Sequence, residues 1–285
     1  MPGSTPPPAW FEELALGAEG PPWLSMGLAR VGVDRWLVVD GRRHEELAER
    51  HRLLAERHDE VFVALPGVEA AGAEVLAAVR EWLAAHRPDV ALPLDPPGLH
   101  PLEAAGRLVQ EDLCLMVDRN GASHLDAACL CFPSHWRLAE KIGRPADAIH
   151  GPVPRYAEEL SARVDRYLAR LRPGVIGVRR NWSVHDAPDL FAPDPPVGAV
   201  PLGVDEVAEG LWLRSERQTL RRLPATGAVL FTIGVQQVAM GALAARPEVA
   251  ARLAARLRAQ PAELSEMSVG PTHLAPLLRW LDSVR

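Results

Sequence analysis

Two runs of alternating sequence, residues 108–117 and 123–132, meet at Asp118-Arg119-Asn120-Gly121. An Asn-Gly pair between apolar runs is the strongest short hairpin signal, because the tight turn that suits strand twist needs positive φ at both central residues. It predicts two antiparallel strands in mid-chain. Residues 175–184 and 227–235 read as further strands, and 36–39 as a short one.

Helical patterns surround these runs. Residues 42–58 carry Leu47, Leu54 and Ala55 on one stripe, and residues 69–86 carry Val75, Val79, Trp82 and Leu83. A Pro-rich linker, 87–101, separates them from the hairpin. Residues 136–142 read as a short helix with Ser134 as its N-cap, 155–171 as a longer one, and the last forty as helical. Residues 143–154 and 186–201 are Pro-rich loops. Consecutive hairpins with few βαβ units give an α+β fold rather than a doubly wound sheet. Residues 1–22 are expected to be disordered or loosely docked, and 23–285 to form a single domain with helical additions.

The chain has 285 residues and a formal net charge of −6, which points away from nucleic acid and anionic membranes as partners. Its start lacks the basic and apolar regions of a signal peptide, and no apolar run is long enough to span a bilayer, so a cytoplasmic location is expected. Three cysteines, Cys114, Cys129 and Cys131, are too few for a disulfide scaffold and read as reduced thiols. His44, His51 and His58 recur every seven residues, about 10.5 Å along a helix, too far apart for two to share a metal.

Three stretches concentrate unusual residues. Phe132-Pro133-Ser134-His135-Trp136 is followed by Glu140-Lys141-Ile142-Gly143 and by Ile149-His150-Gly151-Pro152-Val153-Pro154. A histidine on backbone stiffened by prolines suits axial ligation of haem iron, although a loop-capping histidine is the plainer reading. Arg179-Arg180-Asn181-Trp182 can receive an anionic group or form a surface ion cluster. Residues 213–224 place four arginines around Glu216, offering forks for carboxylates; a solvated basic stretch is one plain reading, and Gln218 and Thr219 among apolar Leu213, Leu220 and Leu223 make a partly buried network an equal one.

Glu111-Asp112-Leu113-Cys114-Leu115-Met116, FPSHW, EKIG, IHGPVP, RRNW and RSERQTLRRLPATGAVLFTI occur in one order, with Met26-Gly27-Leu28 ahead of them. In this order the chain resembles the haem-subunit-like family of haem-dependent oxidative N-demethylases, from about Trp23 to Val235. The resemblance implies a PAS-like antiparallel sheet with a haem pocket, flanked by N-terminal and C-terminal helices. It implies a b-type haem and O₂-dependent oxidation of a small secondary or tertiary amine, with formaldehyde as product. Electrons would come from a flavin or iron–sulfur reductase component, since three cysteines cannot supply four thiolates to a cluster. His150 is then the proposed iron ligand, ahead of His135, His124 and His100. Glu216 is the candidate catalytic, substrate-orienting carboxylate, and Arg179, Arg180, Arg217 and Arg221 are candidates for cofactor binding. A non-catalytic haem-binding sensor or carrier is the alternative. One departure stands out: Gly234-Val235-Gln236-Gln237 replaces the arginine-containing, Tyr-ending stretch expected in typical members.

Overall fold

The computed structural model describes residues 8–16, 23–94, 97–196 and 198–284. Its centre is a seven-stranded sheet. The strands are β1 (Ala29–Val31), β2 (Phe62–Ala64), β3 (Asp112–Arg119), β4 (Ala122–Cys129), β5 (Ile176–His185), β6 (Trp212–Arg222) and β7 (Val229–Ala239). They lie in the order β1-β5-β6-β7-β3-β4-β2, and every neighbouring pair is antiparallel. The β3–β4 hairpin closes as expected, with Asn120 and Gly121 at φ 57° and 87° between the paired residues Arg119 and Ala122.

Helices α1 (Arg43–Glu56) and α2 (Glu69–His86) form where the helical patterns lie; α2 buries its expected Val75, Val79, Trp82 and Leu83, whereas α1 buries Glu46, Arg50, Leu53 and Leu54 and leaves Ala55 exposed. The end of the linker folds into α3 (Pro101–Gly106), with Pro101 in its first turn and His100 Nδ1 accepting from the Leu102 amide at 3.1 Å. Between β4 and β5 lie single turns at Leu138–Lys141 and Ala146–Ile149, a π-wound turn at Ala157–Ser161, and α4 (Ala162–Arg170). The chain closes with α5 (Pro247–Ala259), α6 (Ala262–Val269) and α7 (Pro271–Ser283).

Three expectations are corrected. Residues 36–39 are not a strand: the Val38 amide donates to Glu111 Oε1 at 2.7 Å and the Asp40 amide to Gln110 Oε1 at 3.2 Å, so side chains replace a ladder. Ser134 caps no helix; its Oγ lies 3.4 Å from His185 Nε2. Residues 213–224, partly buried as one reading had it but given no strand by the sequence, largely form β6, the strand between β5 and β7.

The sheet is covered on both faces. Helix α3 packs on one, where Cys129 Sγ lies so close to Gly106 that a Cβ there would collide with it. The 33–40 segment lies on this helix face too, its Trp36 beneath the Arg221 guanidinium. On the other, the insert face, Arg222 donates to the carbonyls of Leu168 and Leu171, and Gly177 leaves room for the Tyr167 hydroxyl. Two apolar clusters hold these layers together. The second joins Trp10, Phe11, Leu14 and Leu16 to Trp182, Leu213 and helices α5 and α7. Complete burial of Phe11 contributes about 1.5–3 kcal/mol. Residues 8–16 are therefore packed; the rest of the 1–22 segment lies outside the described residues. All three cysteines are buried and free.

Candidate functional site

Alternation along β5 and β6 divides their charged residues between the two faces. Directly opposed residues of an antiparallel pair share a face, and Arg179 opposes Gln218, Asn181 opposes Glu216, and Ser183 opposes Arg214. These six lie on the insert face. Arg180 and Arg217 oppose one another on the helix face, where Arg221 also lies.

His150 follows the turn Ala146–Ile149, whose start at Pro145 sets the loop direction. Two motif residues pin this loop. Lys141 Nζ donates to the Ile149 carbonyl at 2.7 Å, and the Gly143 amide, at φ 75°, donates to the Leu125 carbonyl at 2.6 Å. His150 Nδ1 lies 2.7 Å from the Ala146 carbonyl, which accepts its proton and leaves Nε2 as the unprotonated nitrogen. Among the described residues Nε2 makes no hydrogen bond. The ring stacks on Tyr156 with centroids 4.5 Å apart and planes inclined by 9°. Burial holds this imidazole below its ordinary pKa; the bond to Ala146 opposes that, and the charges of Arg179 and Lys141 reinforce it.

Arg179 is half-buried and has no hydrogen bond or ion pair among the described residues. Burial lowers its pKa, while Glu216 and Tyr156 favour the charged form. Glu216 accepts from Gln218 Nε2 at 2.9 Å and lies within the electrostatic reach of both Arg179 and Arg214. Leu220 and Phe231, opposed on the same face of two interior strands, are only partly buried. His150, Arg179 and Glu216 thus share one accessible, partly apolar surface.

The remaining predicted residues are elsewhere. Arg180 bonds Glu13 at 2.7 Å and Ser215 Oγ at 3.2 Å. Arg217 donates to the carbonyls of Trp36 and Arg35, and Arg221 covers the Trp36 ring at 4.1 Å. All three fasten the N-terminal segments to the helix face. Gly234 lies there as well, opposite Arg217, and a Cβ on it would sit 3.3 Å from Glu111 Cγ. An arginine at this position would leave the sheet on the side away from His150.

The other histidines are differently employed. His100 caps α3, and His124 Nδ1 lies 3.0 Å from the Ala122 carbonyl. Exposed His135, held at φ 57°, stacks on buried His185 at 4.5 Å, beside a cavity of about 250 Å³. Burial, with Arg214 and His135 adding to it, pushes His185 down to about 3. Arg214 was singled out only as part of a basic run; its guanidinium donates to the carbonyls of Phe132, Pro133, Asp189 and Leu190, tying the FPSHW segment to the β5–β6 loop. Tyr156 carried no signal of its own in the sequence beyond its place after IHGPVP.

The model of a family described as haem-dependent oxidative N-demethylase, alpha subunit-like, matches residues 89–268, more than half of the chain. The chain belongs to that family. For a member of the N-demethylase alpha-subunit-like family, the matched span has a clear structural meaning. It contains β3 to β7, the insert and all three residues of the insert-face cluster, and it leaves α1 and α2 outside. No helix among the described residues is long and apolar enough to cross a membrane.

Proposed function

We propose that this chain is the haem-binding subunit of an O₂-dependent oxidative N-demethylase acting on a small secondary or tertiary amine, with His150 as the axial ligand to a b-type haem. One observation carries the reading: His150 has Nδ1 committed to a backbone carbonyl and Nε2 left without a partner. Ligating histidines are oriented in this way, because the second-shell bond fixes the tautomer and the ring rotation. The depressed pKa keeps the imidazole neutral, as a ligand must be.

The surroundings fit the same group. Among the described residues no three His, Cys, Asp or Glu side chains are placed to hold a metal ion, so a bare-metal site has no support. A porphyrin needs one protein ligand, an apolar surface and a cation for its carboxylates. His150 supplies the first, Leu220 and Phe231 lie on the second, and the unpaired Arg179 guanidinium supplies the third. The sheet order supports a PAS-like architecture: β3 and β4 form a hairpin, the helical insert crosses one face, and β7 returns beside β3.

When bound, the haem would supply the oxidising chemistry. The protein's part is to bind and orient. Glu216 offers an anion to a substrate ammonium group, held in place by Gln218. Leu220 and Phe231 would give the bound group an apolar contact on the same surface. A flavin or iron–sulfur reductase component in the cytoplasm would supply electrons.

Reconstitution with haemin tests the reading. A Soret band distinct from that of free haem, extractable by acid–acetone, is expected, followed by formaldehyde release from a methylamine when a reductase is present. Glu216→Gln should raise KM or lower kcat by more than about tenfold, about 1.4 kcal/mol. Absence of a distinct Soret band overturns the proposal. O₂ uptake without formaldehyde from any amine favours a haem-binding sensor or carrier.

A further inference from the structure

The structure points to Tyr156 as a positioning residue for His150 and, through its hydroxyl, as a partner of Arg179 in holding one anionic group of the bound ligand. The second half rests on the haem reading above, where that group is a porphyrin carboxylate.

The ring carries the first half. The Ala146 carbonyl fixes how the His150 imidazole is rotated, and the Tyr156 ring, parallel to within 9° at 4.5 Å, fixes its plane. The loop is bent to bring this about. The Val153 amide donates to the His150 carbonyl at 2.8 Å, and the Tyr156 amide to the Val153 carbonyl at 3.2 Å. Arg155 between them is held at φ 63°, a region that L side chains rarely adopt. Strain of this kind persists only where the surroundings impose it. Here it turns Tyr156 back over a histidine six residues earlier.

The hydroxyl carries the second half. Tyr156 is 4% exposed, and its Oη is buried with no hydrogen-bond partner among the described residues. A buried donor left unpaired is costly and is rare in native proteins. Burial, with the charges of Asp165 and Asp147 adding to it and Arg179 opposing, pushes its pKa up to about 12, so it remains a donor. Arg179 lies within its electrostatic reach and is itself without a hydrogen bond or ion pair. A buried hydroxyl and a guanidinium that make no hydrogen bond among the described residues, and that act on one another electrostatically, match a single carboxylate, which accepts from both.

The test uses Tyr156→Phe, Tyr156→Leu, Arg179→Met and the double variant Tyr156→Phe/Arg179→Met, each first checked for an unchanged circular dichroism spectrum. The His150 ring protons are followed by NMR at one fixed pH without added haem. Tyr156→Phe should leave their ring-current shifts at the wild-type position, and Tyr156→Leu should move them, because the stacked ring is gone. If Tyr156→Leu leaves them unmoved, the positioning role is wrong. Haem loss to an acceptor globin is then timed. Tyr156→Phe should speed it about tenfold, and the double variant should be little faster than Arg179→Met, since both residues serve one group. Loss at the wild-type rate from Tyr156→Phe, or multiplied effects in the double variant, overturns the shared carboxylate. A wild-type protein that takes up no haem sinks the haem reading and the hydroxyl's role with it, while the NMR ring shifts still decide the stack.

Discussion

On the helix face of β5 and β6, Arg180, Arg217 and Arg221 each end on a partner: a carboxylate, two carbonyls, an indole ring. On the insert face, one residue away along the same strands, Arg179 ends on none of the described residues, and among them Glu216 is held only by an amide. Desolvation is unfavourable to a guanidinium on either face, and Arg179, Arg180, Arg217 and Arg221 all have lowered pKa values because of it. What differs is compensation. On the helix face it comes from the protein itself, so these arginines serve as fasteners. On the insert face Arg179 has only the electrostatic influence of Glu216 and Tyr156 to set against burial, with no side-chain hydrogen bond or ion pair among the described residues. Arg214 marks the boundary: it lies on the insert face, but both of its terminal nitrogens donate to carbonyls, and it holds the loops that rim the surface.

The contrast can be broken most directly at His150. His150→Ala should weaken haem binding at least a hundredfold, about 2.7 kcal/mol, in a Soret titration of the haem-free protein. Retention of affinity would remove the ligand from the IHGPVP loop. The matching change on the helix face is Arg217→Met. It strands the carbonyls of Trp36 and Arg35 and should cost about 2–3 kcal/mol in urea unfolding, with haem affinity altered by no more than about threefold. Reversal of the two effects would mean that the faces have been assigned the wrong way round.

Acid sharpens the comparison through His185. Its folded pKa of about 3 lies below the ordinary value of 6.5, so the unfolded chain binds the proton more readily. The associated stability is complete above pH 6.5 and is lost as pH falls toward 3. Between about pH 7 and pH 5 this amounts to about 2 kcal/mol, and His185→Gln should flatten that part of the stability curve. On the helix face the slope is opposite. Burial pushes Glu111 up to about 7, so its contribution is present below the ordinary carboxylate range and declines as pH rises through 7. The smallest expected effect is at Gly234. Gly234→Arg sets a cation beside Glu111 and should leave haem affinity within about twofold. A tenfold loss would show that the two faces communicate.

The parts of the fold that were legible in the sequence have local causes. Asn120-Gly121 fixes a turn by its own backbone preference, and the stripes of α1 and α2 repeat at helical spacing. Strand β6 was hidden because arginines lie on both of its faces, with Glu216 and Gln218 adding to one, which erases the apolar period of two. Residues 36–39 deceived in the other direction: an apolar run resembled a strand, but its amides are satisfied by Glu111 and Gln110 across the chain. The candidate site followed the same rule. His150 was named through the family resemblance of IHGPVP, since its proline-flanked loop alone reads more plainly as a capping histidine. Adjacent arginines such as Arg179 and Arg180 could not be told apart until the strand phase was known. Tyr156 depends on a left-handed Arg155, which composition does not announce.

The β3–β4 hairpin has one further consequence. Its turn closes locally, yet the other edge of β3 is completed only by β7, where Asp112 meets Ile233. During synthesis that edge, carrying Leu113, Cys114, Leu115 and Met116, remains an open row of amides until almost the whole sheet has left the ribosome. Pairings so distant in sequence form slowly, and an apolar edge kept waiting is an invitation to other chains. Substitutions in β7 will therefore be felt first as lower yield of folded protein, before any change at the insert face is reached.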